Sequence, residues 1–138
     1  MEGPFDGVMG FSQGAALAAM LLARHSSSSF PSTMPFSFAI FLCAGAPFCE
    51  RSLHRGDLAL LDPTKGGEDV IKVPTAHIVG KRDDALDASM RLADLCLDSM
   101  KRVYDHGAGH EVPVNPKAVT RNMASVIEDV IAKATFAQ

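Results

Sequence analysis

The chain has 138 residues, which suits one domain and not two. It is 47% hydrophobic and 21% charged, close to the globular average, which excludes an intrinsically disordered chain on composition. A formal net charge of −3 offers no basic footprint for nucleic acid, and three cysteines (Cys43, Cys49, Cys96) without a CxxC pair speak against a disulfide framework or zinc knuckle and for a reduced, cytoplasmic compartment.

Taken in chain order, Phe5 to Gly10 reads as a short buried strand entering a turn. The first residues lack a basic stretch followed by an apolar one, so no signal peptide is expected. Gln13 to His25 is rich in Ala, Leu and Met, good helix formers, and is apolar around most of its circumference, which predicts a helix buried on several sides. Ser26 to Pro35 is a polar loop with a serine run. Phe36 to Ala44 is a nearly continuous apolar run that suits a central parallel strand covered on both faces. The most apolar windows, Ala15 to Ala23 and Phe36 to Ala46, fall short of the roughly 20 residues of a membrane span, so no membrane partner is expected.

Gly45 to Val73 has weak periodicity and reads as a loop with one short helix. Thr75 to Gly80 reads as a strand. Ala85 to Met100 places Leu86, Met90, Ala93 and Leu97 on one helical face. Lys101 to Asp105 reads as a last strand. A final helix begins at Asn115, with Pro116 at its first position and Val119, Met123, Val126, Ile127 and Val130 as its apolar stripe. This alternation predicts a mostly parallel sheet with right-handed crossovers and flanking helices.

The strongest chemical signal is Gly10-Phe11-Ser12-Gln13-Gly14, which matches the G-x-S-x-G nucleophile elbow, between a strand and a helix as that motif requires. A serine on so sharp a turn sits in a strained backbone, and both glycines are expected to be small so that their neighbours clear the turn. The turn lifts the Ser12 hydroxyl clear of the sheet and puts the Gln13 N–H under a developing oxyanion.

Serine needs a histidine base, and that histidine an orienting acid, in the chain order Ser, Asp or Glu, His. His25 ends a helix, His54 lies in the irregular loop and His77 lies inside a strand. His106 and His110 remain, in a glycine-rich loop after the last strand, and His110, further into the loop, is the better base. Asp83 and Asp84 follow the strand at Thr75 to Val79; Asp84 suits the cap of the next helix, which leaves Asp83 for the histidine. Cys43 is expected to be core, Cys96 a helix residue, and Lys81 with Arg82 a solvated pair. The histidines lack HExxH spacing and no acid-rich calcium loop is present, so no metal cluster is expected.

Residues Gly3 to Ala15, with this elbow, resemble the fungal FSH-type serine hydrolases, a family that includes thioesterase-like hydrolases of polyketide pathways. Phe41 to Phe48 is similar to its next strand and loop, Pro74 to Asp83 to its acid segment and His106 to Pro113 to its histidine segment. The resemblance implies a Ser12, Asp83, His110 triad acting on a small acyl ester or thioester without cofactor. It also implies that residues 1–138 form one partial domain, the C-terminal half of an α/β-hydrolase fold. Family members carry further strands and a second oxyanion donor before the elbow, so the first strand is expected to be an apolar open edge, able to pair with another chain. Two other readings are a non-catalytic remnant that uses this edge as an interaction module, and a carboxylesterase or acyl-protein thioesterase, which shares the Gly-Phe-Ser-Gln-Gly elbow.

Overall fold

Four strands and four α-helices alternate, with a short 3-10 helix at Asp98–Met100 before the last strand, in a computed structural model that describes residues 3–27, 33–65 and 71–136. The strands are β1 (Gly7–Phe11), β2 (Phe38–Leu42), β3 (Thr75–Val79) and β4 (Lys101–Asp105). The helices are α1 (Gln13–Ser26), α2 (Glu50–His54), α3 (Leu86–Asp94) and α4 (Lys117–Phe136). The strands form one sheet in the order β1-β2-β3-β4, and every pairing is parallel. The expected loop from Ser26 to Pro35 falls partly at 28–32, outside the described residues, as do 66–70 of the long loop. Among the described residues, no helix is long and apolar enough to cross a membrane.

The two central strands explain why the apolar runs carry so little polar alternation. Side chains alternate across a strand, and here both faces are covered. Ala39 and Phe41 of β2 point to a core shared with Ala15, Ala19 and Leu22 of α1 and Leu92 of α3. Ile40 of β2 and Ala76 of β3 point the other way, against Val130, Val126 and Ile127 of α4. All five residues of β3 are buried. The result is a three-layer sandwich with the sheet in the middle.

The ends of the sheet differ. β4 carries exposed Arg102, paired with Asp129 of α4 at 3.5 Å, and exposed Asp105. Charge of this kind blunts an edge. β1 pairs with β2 on one side, and no strand among the described residues pairs with the other. Phe5, Met9 and Phe11 beside it stay exposed, as do Leu17 and Leu21 on α1.

Three expected boundaries move, the first of them for a tertiary reason. The expected helix from Ala85 to Met100 stops at Asp94. Backbone bonds from Ile71 N–H to Leu95 O and from Leu97 N–H to Ile71 O draw the chain into a bridge between Ile71 and Cys96. Ser89, Leu92 and Ala93 form the buried face of α3, while Met90 and Leu97 are exposed. The first strand runs to Phe11, directly into Ser12. The final helix starts at Lys117, one residue after Pro116.

Candidate active site

The site lies at the C-terminal ends of the four parallel strands, where the loops after β1, β2, β3 and β4 meet. This is where open parallel sheets generally bind ligands.

Ser12 joins β1 to α1 with φ 53 and ψ −117. A non-glycine residue there costs roughly 1–3 kcal/mol and persists only when its surroundings enforce it. They do. The Ser12 N–H donates to Leu42 O at 2.9 Å, and Ser12 O accepts from Gly45 N–H at 2.9 Å and Ala16 N–H at 3.3 Å. The turn is thus tied to the end of β2 and to its own helix. Gly10 is required sterically: a Cβ there would lie 2.5 Å from the backbone N of Ala15. Gly14 is different. A Cβ there meets nothing within 4 Å, so the expectation that both motif glycines relieve crowding holds for Gly10 alone. Gln13 is the first residue of α1, a position whose N–H has no acceptor within the helix.

His110 reaches this serine from a loop nearly one hundred residues later. Its Nε2 lies 2.8 Å from Ser12 Oγ, and its Nδ1 lies 2.8 Å from Asp83 Oδ2. Its ring also packs against Phe11, with centroids 5.0 Å apart. Asp83 is buried after β3, and its other oxygen accepts the Ala85 N–H at 2.8 Å. Burial pushes the Asp83 carboxyl up, but the bonds from Ala85 and His110 and the positive charge His110 can carry outweigh it, and the carboxyl is held below its ordinary value. An ionised carboxylate only accepts hydrogen bonds. The proton of neutral His110 therefore sits on Nδ1, and Nε2 is left to accept from the Ser12 hydroxyl.

Asp84, expected to cap the next helix, is exposed, and the N-cap of α3 is Ala85 without a side-chain bond. Asp83 itself takes the Ala85 N–H, because its side chain turns inward over the start of the helix. Lys81 and Arg82, expected to be a solvated pair, are both exposed, and Arg82 also bonds across the loops: its Nε donates to Gly107 O at 2.9 Å and its backbone N–H to Ala108 O. Lys81 donates its N–H to Asp105 Oδ1. These contacts fasten the acid loop to the histidine loop. Gly80 permits the approach, since a Cβ there would lie 2.3 Å from Ala108 O and 2.6 Å from Gly109 O.

His77 and His106 take other places. His77 is fully buried beside Phe41, and desolvation, with the charge of Lys101, lowers its pKa to about 3. His106 is buried beneath the loop; its Nδ1 accepts the Ala108 N–H, so its Nε2 carries the proton and points at Cys43 Sγ, 3.5 Å away. Cys43, expected to be simple core, is buried but polar in its contacts, and its thiol donates to Glu111 O at 3.3 Å. Burial pushes that thiol up, against the lowering effect of the Glu111 bond. Cys96 is buried after α3, not within it, and burial pushes it up to about 12.

Donor atoms of Cys43, Asp83 and His110 all lie within 4.8 Å of one another. Spacing rules miss this group because its members come from three different strand ends. A cysteine at the C-terminal end of an apolar strand, in a chain with an elbow, was the available signal.

Residues 1–122 match the family described as Serine hydrolase (FSH1). Esterase FPY3 of Fusarium mangiferae is 49% identical over 137 residues, covering 99% of this chain and 62% of that protein. Esterase FUS5 of Gibberella fujikuroi is 32% identical over 126 residues, covering 91% and 46%. Esterase OVCA2 of Xenopus tropicalis is 35% identical over 111 residues, covering 80% and 43%. The chain spans about half the length of the curated relatives it matches. The crystal structure of Zea mays acyl-protein thioesterase 2 superposes with a TM-score of 0.50 at 20% identity, over 94% of this chain and 58% of that one. The shared architecture is the α/β-hydrolase fold.

Proposed function

The chain belongs to the FSH1 serine hydrolase family, and from that premise we propose that Ser12, His110 and Asp83 form a catalytic triad that cleaves a carboxylic ester or thioester. The observation that carries the reading is the unbroken line of two 2.8 Å hydrogen bonds from Ser12 through His110 to Asp83. The esterase names of the relatives agree with it.

In the first step Ser12 Oγ attacks the acyl carbon, and its proton passes to His110 Nε2. The carbonyl π bond opens to an oxyanion, toward which the Gln13 N–H donates. Asp83 keeps the Nδ1 proton in place and stabilises the imidazolium without taking that proton. His110 then protonates the leaving alcohol or thiol, which departs as the acyl-enzyme forms. In the second step water attacks the acyl carbon while His110 takes its proton; the new oxyanion collapses, the acyl–Oγ bond breaks, and His110 returns the proton to Ser12 Oγ as the acid product leaves. No cofactor enters either step. One oxyanion donor is worth about 10²–10³ in kcat.

Kinetics on a series of acyl esters and thioesters test the unit. Ser12→Ala and His110→Ala should each lower kcat by about 10⁴-fold or more, and the double variant should be no slower than the worse single one, because triad members act together. Turnover that survives Ser12→Ala, or losses that multiply, would sink the assignment.

A further inference from the structure

Close to two members of the proposed triad lies a thiol, Cys43, that the hydrolytic reaction does not use. Cys43 directly follows β2 with φ 43, a left-handed backbone conformation rare outside glycine. Its N–H is held by Ile78 O at 2.8 Å. This fixes the thiol at the meeting point of three loops, against Glu111 O and the ring of His106. From there the sulfur lies within 4.8 Å of donor atoms of Asp83 and His110, the histidine whose Nε2 contacts Ser12 Oγ.

We infer that Cys43, Asp83 and His110 form an inhibitory binding site for Zn²⁺ or a similarly thiophilic divalent cation. The donor set is sulfur, imidazole nitrogen and carboxylate oxygen, which suits Zn²⁺ and is poor for Mg²⁺ and Ca²⁺. Tetrahedral bonds of about 2.0–2.3 Å set neighbouring donors roughly 3.5 Å apart. The donor atoms here lie within 4.8 Å, so an ion needs only small side-chain rotations. The pair Asp83 Oδ2 and His110 Nδ1, now 2.8 Å apart, opens around it. The His110 side chain is 41% exposed and offers the ion an entry. His106 supplies the supporting bond: with Nδ1 occupied by Ala108, its Nε2–H points at the sulfur and stabilises a thiolate there.

The balance is simple. The cation replaces the thiol proton of Cys43, which leaves to solvent, and bonds the sulfur, one Asp83 oxygen and the Nδ1 lone pair of His110. The single proton of neutral His110 then sits on Nε2. A protonated Nε2 donates to Ser12 Oγ instead of accepting from it, so the base is disabled while the metal stays. No redox change occurs. The binding stands on the three donors alone; the inhibition rests on the reading of Ser12 and His110 as nucleophile and base.

Metal-free, folded protein titrated with Co²⁺, a spectroscopic stand-in for Zn²⁺, separates the two. The expected result is one equivalent of Co²⁺ with a thiolate-to-metal charge-transfer band and tetrahedral d–d absorption, displaced by Zn²⁺ and not by Mg²⁺. Cys43→Ser should abolish the charge-transfer band, Cys49→Ser should keep it, and His110→Ala, an exposed loop change that tests the site should Cys43→Ser fail to fold, should weaken Co²⁺ binding at least about 10-fold. No charge-transfer band in the folded protein, or a band that survives Cys43→Ser, overturns the site. In the same samples Zn²⁺ should cut ester hydrolysis at least about 10-fold, reversibly with chelator, and Cys43→Ser should lose that sensitivity relative to its own metal-free rate. A metal-free protein without hydrolysis refutes the proposed function and leaves the Co²⁺ result to decide the site.

Discussion

Gly80→Ala puts the loop geometry to a sharp test, because the nearest contacts of the added methyl are to none of the three side chains proposed to do the chemistry. The added Cβ would stand 2.3 Å from Ala108 O, 2.6 Å from Gly109 O and 2.6 Å from His106 Cε1. Ordinary contact begins near 3.4 Å, so the Ala108 carbonyl must retreat by about 1.1 Å. That carbonyl also accepts the Arg82 N–H, and the backbone leads through Gly109 directly to His110. The imidazole would be carried away from Ser12 and Asp83 by a comparable distance. A misplacement of about 1 Å typically costs on the order of 10²-fold in rate, or about 2.7 kcal/mol of barrier. Overpacking should also cost about 1–3 kcal/mol of stability. Steady-state hydrolysis of a chromogenic ester, with circular dichroism and a thermal melt beside it, reads both effects. The expected variant is folded, melts lower and has a kcat about 100-fold down. A folded Gly80→Ala protein with kcat within about threefold of the parent would refute the claim that this glycine sets the position of the histidine loop.

Other consequences are quicker to check. Gly10→Ala should destabilise the fold, since its Cβ meets the Ala15 backbone at 2.5 Å, whereas Gly14→Ala should be neutral or stabilising by about 0.5 kcal/mol in urea unfolding. His77, buried and with its pKa lowered to about 3, stays neutral in the fold while the unfolded chain takes up a proton below its ordinary value of 6.5. Stability should therefore fall as pH drops from 6.5 toward 3, by about 1.4 kcal/mol per unit at most from this group, and His77→Gln should flatten the slope. The Asp83 carboxyl, held below its ordinary 3.8, favours the fold fully above that pH and loses its contribution only as pH falls through the lower folded value. If the apolar β1 edge pairs with a second copy, light scattering should show a dimer that Met9→Lys returns to monomer; Met9 is 58% exposed there.

Much of the architecture is legible in the residues because it rests on local rules. Continuous apolar runs at Phe36 to Ala44 and Thr75 to Gly80 signal strands covered on both faces, and those segments hold β2 and β3. The stripe of the last helix places Met123 and Val130 in the core. What local rules miss is decided at a distance. Nothing near Leu95 announces that Ile71 will capture the chain and end α3. The site divides the same way. A five-residue motif marks Ser12, and chain order narrows the candidate base and acid, but the contacts of Cys43, His106 and Arg82 join loops 25 to 68 residues apart in sequence and have no signature in either neighbourhood. The second motif glycine shows the opposite error, a residue assigned a steric role that the folded chain does not require of it.

The most direct test is covalent. The purified chain is treated with a fluorophosphonate probe, and the adduct is located by mass spectrometry with Ser12→Ala as control. A single adduct on Ser12 that disappears in the variant is expected, because the proposed base His110 sits 2.8 Å from that hydroxyl. A folded chain that takes no label, or takes it on another residue, would contradict the proposed triad.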